Sequence, residues 1–322
     1  MRILFLSKTN SPSFQFYSES LLSINLVSGF EITCSSGVRD WNYDLYDIVL
    51  FMWGSNDSIK AKRNNNKIFC GIVDPRGLSN DQFISSDFII VNGVESQIFF
   101  SEYGLPTFIY PVYPKMTSNI QSKTYNELLL GYHGNKIHLE DMMPRITKAL
   151  QELHEHTPII FHAMYNIKDL GRSDKISSSN LGFKVKHIQY SVDNYEKYIS
   201  CCDIGIVPQL IKHNKIPFFE KNKVNYNMKF KSTTNLGRHF VFCQYKIPIV
   251  TDLTPSSSEF FQHGVNGLMA YSTKSWKESL LRLNDSNFRK LVGMNGFKSW
   301  SLNYSHETLN KKLLGSFLEL KR

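Results

Sequence analysis

The segment Gly131-Tyr132-His133-Gly134-Asn135-Lys136 sets two glycines, an imidazole, an amide and an ammonium side by side. Glycine lets a backbone approach a ligand closely, free amides at a helix start accept an anion, and Lys136 adds a positive charge. Chemistry of this kind cradles a pyrophosphate. The same residues also describe an ordinary tight turn in which His133 is a satisfied polar side chain, and spacing leaves both open. A second candidate is Lys229-Phe230-Lys231-Ser232-Thr233-Thr234-Asn235, where lysines and hydroxyls enter a helix expected over 236–245. Cations and hydroxyls there bind anions, although Ser and Thr are equally common N-caps beside solvated lysines. In the first half, Asp74-Pro75-Arg76-Gly77 follows an expected strand at 67–72 and brings a carboxylate and a guanidinium to its carboxyl end. Asp74 is the candidate acceptor-side base and Arg76 the candidate acceptor contact. A plain type I turn, in which Asp-Pro is common, competes with that reading. Asp203, before an expected strand at 204–207, reads more readily as a capping or turn residue than as a ligand contact.

These segments need a scaffold, and the pattern supplies one. Short β-type runs alternate with segments of helical period, the signature of parallel α/β architecture. Strands are expected at 3–6, 30–33, 48–51, 67–72, 88–91 and 107–110, then at 128–132, 158–163, 185–189, 204–207, 247–250 and 267–270. Helices are expected at 140–154, 191–201, 273–283 and 307–318. This makes two Rossmann-like, doubly wound sheets. Ligands bind outside the carboxyl ends of such strands, so two facing sheets enclose a cleft lined by strand-to-helix loops. Pro111, Pro114 and the polar run 116–126 mark a linker. The expected division is therefore 1–122, 123–302 and a terminal helical stretch 303–322. The Lys- and Asn-rich stretch 211–231, with Phe218-Phe219, reads as a long loop, either functional or simply solvated.

Composition narrows the class. A chain of 322 residues suits two domains, and 42% hydrophobic with 20% charged residues is globular, which argues against disorder or a fibrous repeat. The longest apolar runs, such as 48–53, are far shorter than the roughly 20 residues that span a bilayer. The opening Met1-Arg2-Ile3-Leu4-Phe5-Leu6-Ser7 reads as a first strand and not as a signal peptide, so a cytoplasmic location is expected. The five cysteines are odd in number and lack metal-ligand spacing, which predicts reduced thiols with neither a disulfide framework nor a zinc site. A net charge of +9 suits nucleic acid, an anionic membrane surface or a phosphate-rich small substrate. Dispersed basic residues and no recognised nucleic-acid module argue against the first.

Four second-half segments, in this order, resemble the retaining, metal-independent GT-B glycosyltransferases related to bacterial polysaccharide and lipopolysaccharide sugar transferases. They are Gly131-Tyr132-His133-Gly134-Asn135 with His138-Leu139; Cys202-Asp203-Ile204-Gly205-Ile206-Val207-Pro208; Lys231-Ser232-Thr233-Thr234-Asn235 leading to Pro248-Ile249-Val250; and Glu259 with His263-Gly264-Val265-Asn266-Gly267-Leu268. The resemblance implies that the second half holds a nucleotide-sugar donor and that the first half meets a glycan or lipid-linked acceptor. It further implies that His133, Gly134, Asn135 and Lys136 approach the donor phosphates, joined by Lys231, Ser232, Thr233 and Asn235, and that Tyr190 meets the base. No cofactor and no metal are expected, in keeping with the lack of any Asp-x-Asp triplet. The terminal helix of such proteins crosses back to the first half. Two departures stand out: Thr233 and Val241 occupy the places of a glutamate pair found in many relatives, and the loop Ser7-Lys8-Thr9-Asn10-Ser11 lacks their glycine pair. A nucleotide-sugar epimerase of the same shape, or a non-catalytic sugar- or nucleotide-binding protein, are the alternative functions. Peripheral contact with an anionic membrane is a further expectation.

Overall fold

The computed structural model describes residues 1–26, 29–37, 40–53, 67–75, 85–116, 126–210 and 235–320. Arg76, Lys231, Ser232, Thr233, the long basic loop and the expected boundary at 122 lie outside them.

The first half forms strands β1 (Arg2–Ser7), β2 (Glu31–Ser36), β3 (Ile48–Met52), β4 (Phe69–Val73), β5 (Phe88–Val91) and β6 (Thr107–Ile109). The second forms β7 (Leu128–His133), β8 (Ile159–Tyr165), β9 (Lys184–Gln189), β10 (Ile204–Val207), β11 (Ile249–Asp252) and β12 (Leu268–Ala270). The two sheets have orders β2-β1-β3-β4-β5-β6 and β12-β11-β10-β7-β8-β9, and every pairing in them is parallel. Both are doubly wound, as the alternating pattern predicts. Strands β3, β5 and β10 are buried along their whole length, which is why they read as continuous apolar runs, and β8 is as fully buried although it contains His162.

Two glycines set the position of the helix that matters most. Gly131 of β7 and Gly205 of β10 are register partners. A Cβ at Gly205 would lie 2.6 Å from the Phe242 ring, and one at Gly131 would lie 3.2 Å from it. The bare sheet surface therefore lets the helix Gly237–Cys243 settle closely, with its amino end at the strands' carboxyl edge.

The halves are tied along one seam. Residues 110–116 run from the first sheet towards the second, and the Asn235 side chain donates to the Val112 carbonyl at 2.8 Å. Tyr113 stacks on His306 at 4.2 Å and donates its hydroxyl to the Tyr304 carbonyl. Buried Glu95 accepts from the backbone amide and hydroxyl of Ser256, capping the helix Pro255–Phe260 from the opposite half. The terminal helix His306–Leu320 lies on the first sheet. There Asn310 donates to the Ser20 carbonyl at 2.9 Å and accepts from Tyr110 at 2.6 Å, while Phe317 packs on Phe88.

Gly237 is the closest point of this seam, since a Cβ there would stand 1.9 Å from the Val112 carbonyl oxygen and 2.9 Å from Tyr113 Cβ. Gly237→Ala is expected to cost about 1–3 kcal/mol, the usual range for overpacking, because backbone on both sides must move. Urea denaturation measures it, and a loss below about 0.5 kcal/mol, the scale of a neutral surface change, would show the seam to be pliant.

Candidate functional site

Between the carboxyl ends of the two sheets lies a cleft of about 480 Å³. The first half contributes Pro12, Ser13 and Phe16 from the helix that follows β1, together with Val112, Tyr113 and Pro114. The second half contributes His133, Gly134 and Asn135 after β7, Asn166, Asp169 and Leu170 after β8, Tyr190 after β9 and Tyr195 beyond it, and Asn235, Gly237, Arg238 and Val241. Five sequence-predicted residues, His133, Gly134, Asn135, Tyr190 and Asn235, thus line one cavity although they come from three separate stretches of chain.

Among the described residues, two formally charged side chains line this cavity, Arg238 and Asp169, and Arg238 is the cation. Its Nη1 donates to the Pro208 carbonyl at 2.8 Å, while Nε and Nη2 are sealed from solvent and have no hydrogen-bond partner. Those two nitrogens face the Gly134 backbone, where a Cβ would stand 3.0 Å from Nε and 3.1 Å from Nη2. Gly134 holds φ at +148°, a region that side chains disfavour, so glycine serves both the turn and the approach. The guanidinium also lies over the Tyr132 ring at 5.6 Å. Burial disfavours its charge, and its pKa falls accordingly. A desolvated cation with two unused donor edges is costly on its own, and an anion in the cleft would satisfy it.

Arg238 is held from behind. Asp252 at the end of β11 accepts from the amides of Gln209 and Leu210 at 2.8 and 2.9 Å, from both Arg145 amino groups and from the Trp276 indole at 3.0 Å. This fixes the loop whose Pro208 carbonyl anchors Arg238. Buried Gln209 in turn meets His239 at 2.7 Å.

His133 faces the same guanidinium. Its Nε2 lies 2.9 Å from the Arg238 carbonyl oxygen, a geometry in which a neutral Nε2–H donates. Burial and then the charge of Arg238 push its pKa down to about 4, so the ring is neutral at pH 7. His239 and His306 are also driven down mainly by burial, to about 3 and about 4. All three folded-state values lie below the ordinary 6.5, so the unfolded chain binds more protons between them. Stability from these rings is therefore full above about pH 6.5 and is lost as pH falls towards 4. The melting temperature should drop over that interval, and His306→Gln should flatten the drop. An unchanged slope in that variant would show that His306 is not one of the groups taking up protons.

Several predicted residues are also held by their own local partners. Lys136 is not among the cleft-lining residues; its ammonium donates to the Leu170 and Arg172 carbonyls at 3.0 and 3.2 Å, strapping the loop after β8 to the start of the helix Lys136–Glu140. Asn135 lines the cleft, and its side chain accepts from Ile137 as an N-cap. Asp74 is buried, with φ at +49°, and is not among the cleft-lining residues. It accepts from Trp53 at 3.2 Å and Asn92 at 2.8 Å, and Asn92 accepts in turn from the Val112 amide and Tyr17 hydroxyl. Asp74 so supports the chain segment that forms the cleft wall. The Asp203 carboxylate accepts from the Leu129 amide at 2.7 Å, a structural role as expected.

Arg238, Tyr195, Val112 and the start of the first helix were not singled out by motif. For Arg238 a signal was present: it is the one formally charged residue in the run 236–243, where every other residue but His239 is apolar, in a helix where Gly237, His239, Phe240, Val241, Phe242 and Cys243 are buried. A cation on such a helix needs a reason.

No protein-family model matches the sequence, and no curated relative does. Solved structures do match across almost the whole chain. A glycosyltransferase from Rickettsia africae superposes with a TM-score of 0.69 at 11% identity, covering 99% of this chain and 98% of its own. Sucrose-phosphate synthase from Thermosynechococcus elongatus gives 0.66 at 11% identity, with 99% of each chain covered. HepE of Anabaena, crystallised with UDP, gives 0.63 at 13% identity, covering 99% of this chain and all of that one. The architecture is that of the GT-B glycosyltransferases, two parallel α/β sheets facing across a cleft.

Proposed function

We propose that this protein is a glycosyltransferase that moves a sugar from a nucleotide-sugar donor onto a glycan or lipid-linked glycan acceptor. The observation that carries this reading is Arg238, a half-buried cleft-lining residue whose guanidinium Nε and Nη2 lie against Gly134 with no hydrogen-bond partner. When the bond from the anomeric carbon to the diphosphate breaks, negative charge grows on the phosphate, and a fixed cation placed there in advance stabilises it without reorganisation. The acceptor oxygen forms the new bond to that carbon, and its proton leaves with the phosphate or to solvent. Arg238 supplies the charge that a metal would otherwise supply, so we read the reaction as metal-independent. Gly134, His133 and Asn135 shape the phosphate side, and Tyr190 and Tyr195, with ring centroids 6.1 Å apart, form an aromatic wall for the base. HepE and its UDP-glucose complex support a sugar nucleotide as the donor class.

The acceptor enters from the first half, past Pro12, Ser13 and Phe16. Retention of configuration and a place in cell-surface polysaccharide assembly rest on the four-segment resemblance. A net charge of +9 favours contact with an anionic membrane from the cytoplasmic side. No described helix is long and apolar enough to cross a membrane.

A second reading has its own support, because a putative UDP-N-acetylglucosamine 2-epimerase from Listeria monocytogenes shares the fold with a TM-score of 0.53. Incubation with sugar-labelled nucleotide donors and candidate acceptors, followed by product analysis in EDTA, separates the two. Label in a new glycoside is the expected result. An isomerised nucleotide sugar with no glycoside would favour the epimerase, and unchanged donor that nevertheless binds would favour a non-catalytic binding protein.

A further inference from the structure

Away from the cleft, the fold assembles three soft ligands that linear spacing conceals. His162 lies at the middle of β8 and is the register partner of Gly131 in β7. Because Gly131 has no side chain, the Cys202 sulfur can settle against the sheet there, where a Cβ would stand only 2.5 Å from it. Cys201 follows the helix Tyr195–Ile199 and turns the same way, so that one nitrogen of His162 and both sulfurs fall within 4.8 Å of one another. Among the described residues, no other set of three histidine, cysteine or carboxylate side chains converges so closely.

We propose that His162, Cys201 and Cys202 form a binding site for one thiophilic divalent cation of the zinc type. Imidazole nitrogen and thiolate sulfur are the donors that such ions prefer, and three protein ligands leave a fourth position to solvent. Both thiols now point at the Tyr198 carbonyl, at 3.4 and 3.1 Å, so the sulfurs are already turned to a common side. Binding exchanges their two protons for the ion. Two thiolates cancel the double positive charge, and with neutral His162 the complex carries no net charge, which suits a site where His162 and Cys202 are buried. A monovalent soft ion would leave a negative charge in the same place. Partly exposed Cys201 provides the way in. The turn is held independently of the ion by Asp203, which fixes the following strand to Leu129. The ion would pin the end of the helix that carries Tyr195, a cleft residue, without itself entering the cleft.

Cadmium is the probe, added to the full-length reduced chain and followed by calorimetry and by the ultraviolet sulfur-to-cadmium charge-transfer band. One equivalent should bind with the band, tighter at pH 8 than at pH 6 because protons are released. The Cys201→Ser/Cys202→Ser double variant should lose the band, and His162→Gln should bind more weakly. If the double variant does not fold, Cys201→Ser alone, at the more exposed position, carries the same expectation. Absence of saturable binding by the wild type, or a wild-type band in the cysteine variants arising from Cys34, Cys70 or Cys243, would overturn the proposal.

Discussion

Replacing Arg238 by methionine is expected to weaken nucleoside diphosphate binding by roughly 100-fold while leaving the melting temperature unchanged or higher. The two effects have separate causes. A hydrogen bond to a charged partner contributes about 1.5–3 kcal/mol, and Arg238 has two free edges to offer, Nε and Nη2. Even one and a half such bonds correspond to about two orders of magnitude at about 1.4 kcal/mol per factor of ten. In the unliganded chain those edges are desolvated and unmatched, so an apolar side chain of similar length removes a cost along with the Pro208 hydrogen bond. Arg238→Lys should not rescue binding well, since an ammonium cannot span the guanidinium's fork geometry. Titration calorimetry and thermal unfolding on the same samples check both halves. Unchanged affinity with lowered stability would make Arg238 a structural residue and remove the basis for the cleft assignment.

Asp252→Ala is expected to have the largest effect on stability, about 3 kcal/mol, the lower end of the range for breaking a buried charge pair. The lower end applies because Arg145 keeps 22% of its side chain exposed and can return to water, whereas the Gln209 and Leu210 amides and the Trp276 indole lose their acceptor. Asp252→Asn, which retains one acceptor oxygen, should fall between. Because the Pro208–Leu210 loop anchors Arg238, nucleotide affinity should fall as well, by less than in the Arg238 variant. Urea denaturation with a loss under about 1 kcal/mol would contradict the hub role, since a change of that size is ordinary for a point substitution.

Much of the scaffold was legible because buried parallel strands write themselves as short apolar runs. β5 and β10 fall on the expected residues, and the others differ by one to three residues at an end, where hydrogen bonding and not hydropathy decides. The helix expected at 140–154 is in fact split into Lys136–Glu140 and Arg145–His156, since Pro144 has no amide to continue the ladder. The long helix Ser286–Asn303 is not legible in the periodicity for a different reason. Its buried residues include Gly293 and Gly296, whose missing side chains let it lie against the Lys246 and Asn266 carbonyls. A helix that packs by backbone approach shows no broad apolar stripe, so periodicity has little to find.

The cleft was partly legible for a topological reason: residues just after the strands must meet at the carboxyl edge, and His133, Gly134, Asn135 and Tyr190 line one cavity there. Side-chain direction was not. Lys136 and Asp74 occupy strand-end positions as expected, yet nearer partners claim them: loop carbonyls for Lys136, Trp53 and Asn92 for Asp74. Arg238 was hidden inside a helix, and its importance comes from what does not touch it.

A crystal structure of the chain soaked with a nucleoside diphosphate such as UDP, in EDTA, tests the donor site most directly. The β-phosphate is predicted to accept from Nε or Nη2 of Arg238 beside the Gly134 backbone, with the base against Tyr190. A diphosphate bound elsewhere, or bound in the cleft with the guanidinium edges still unpaired, would contradict it.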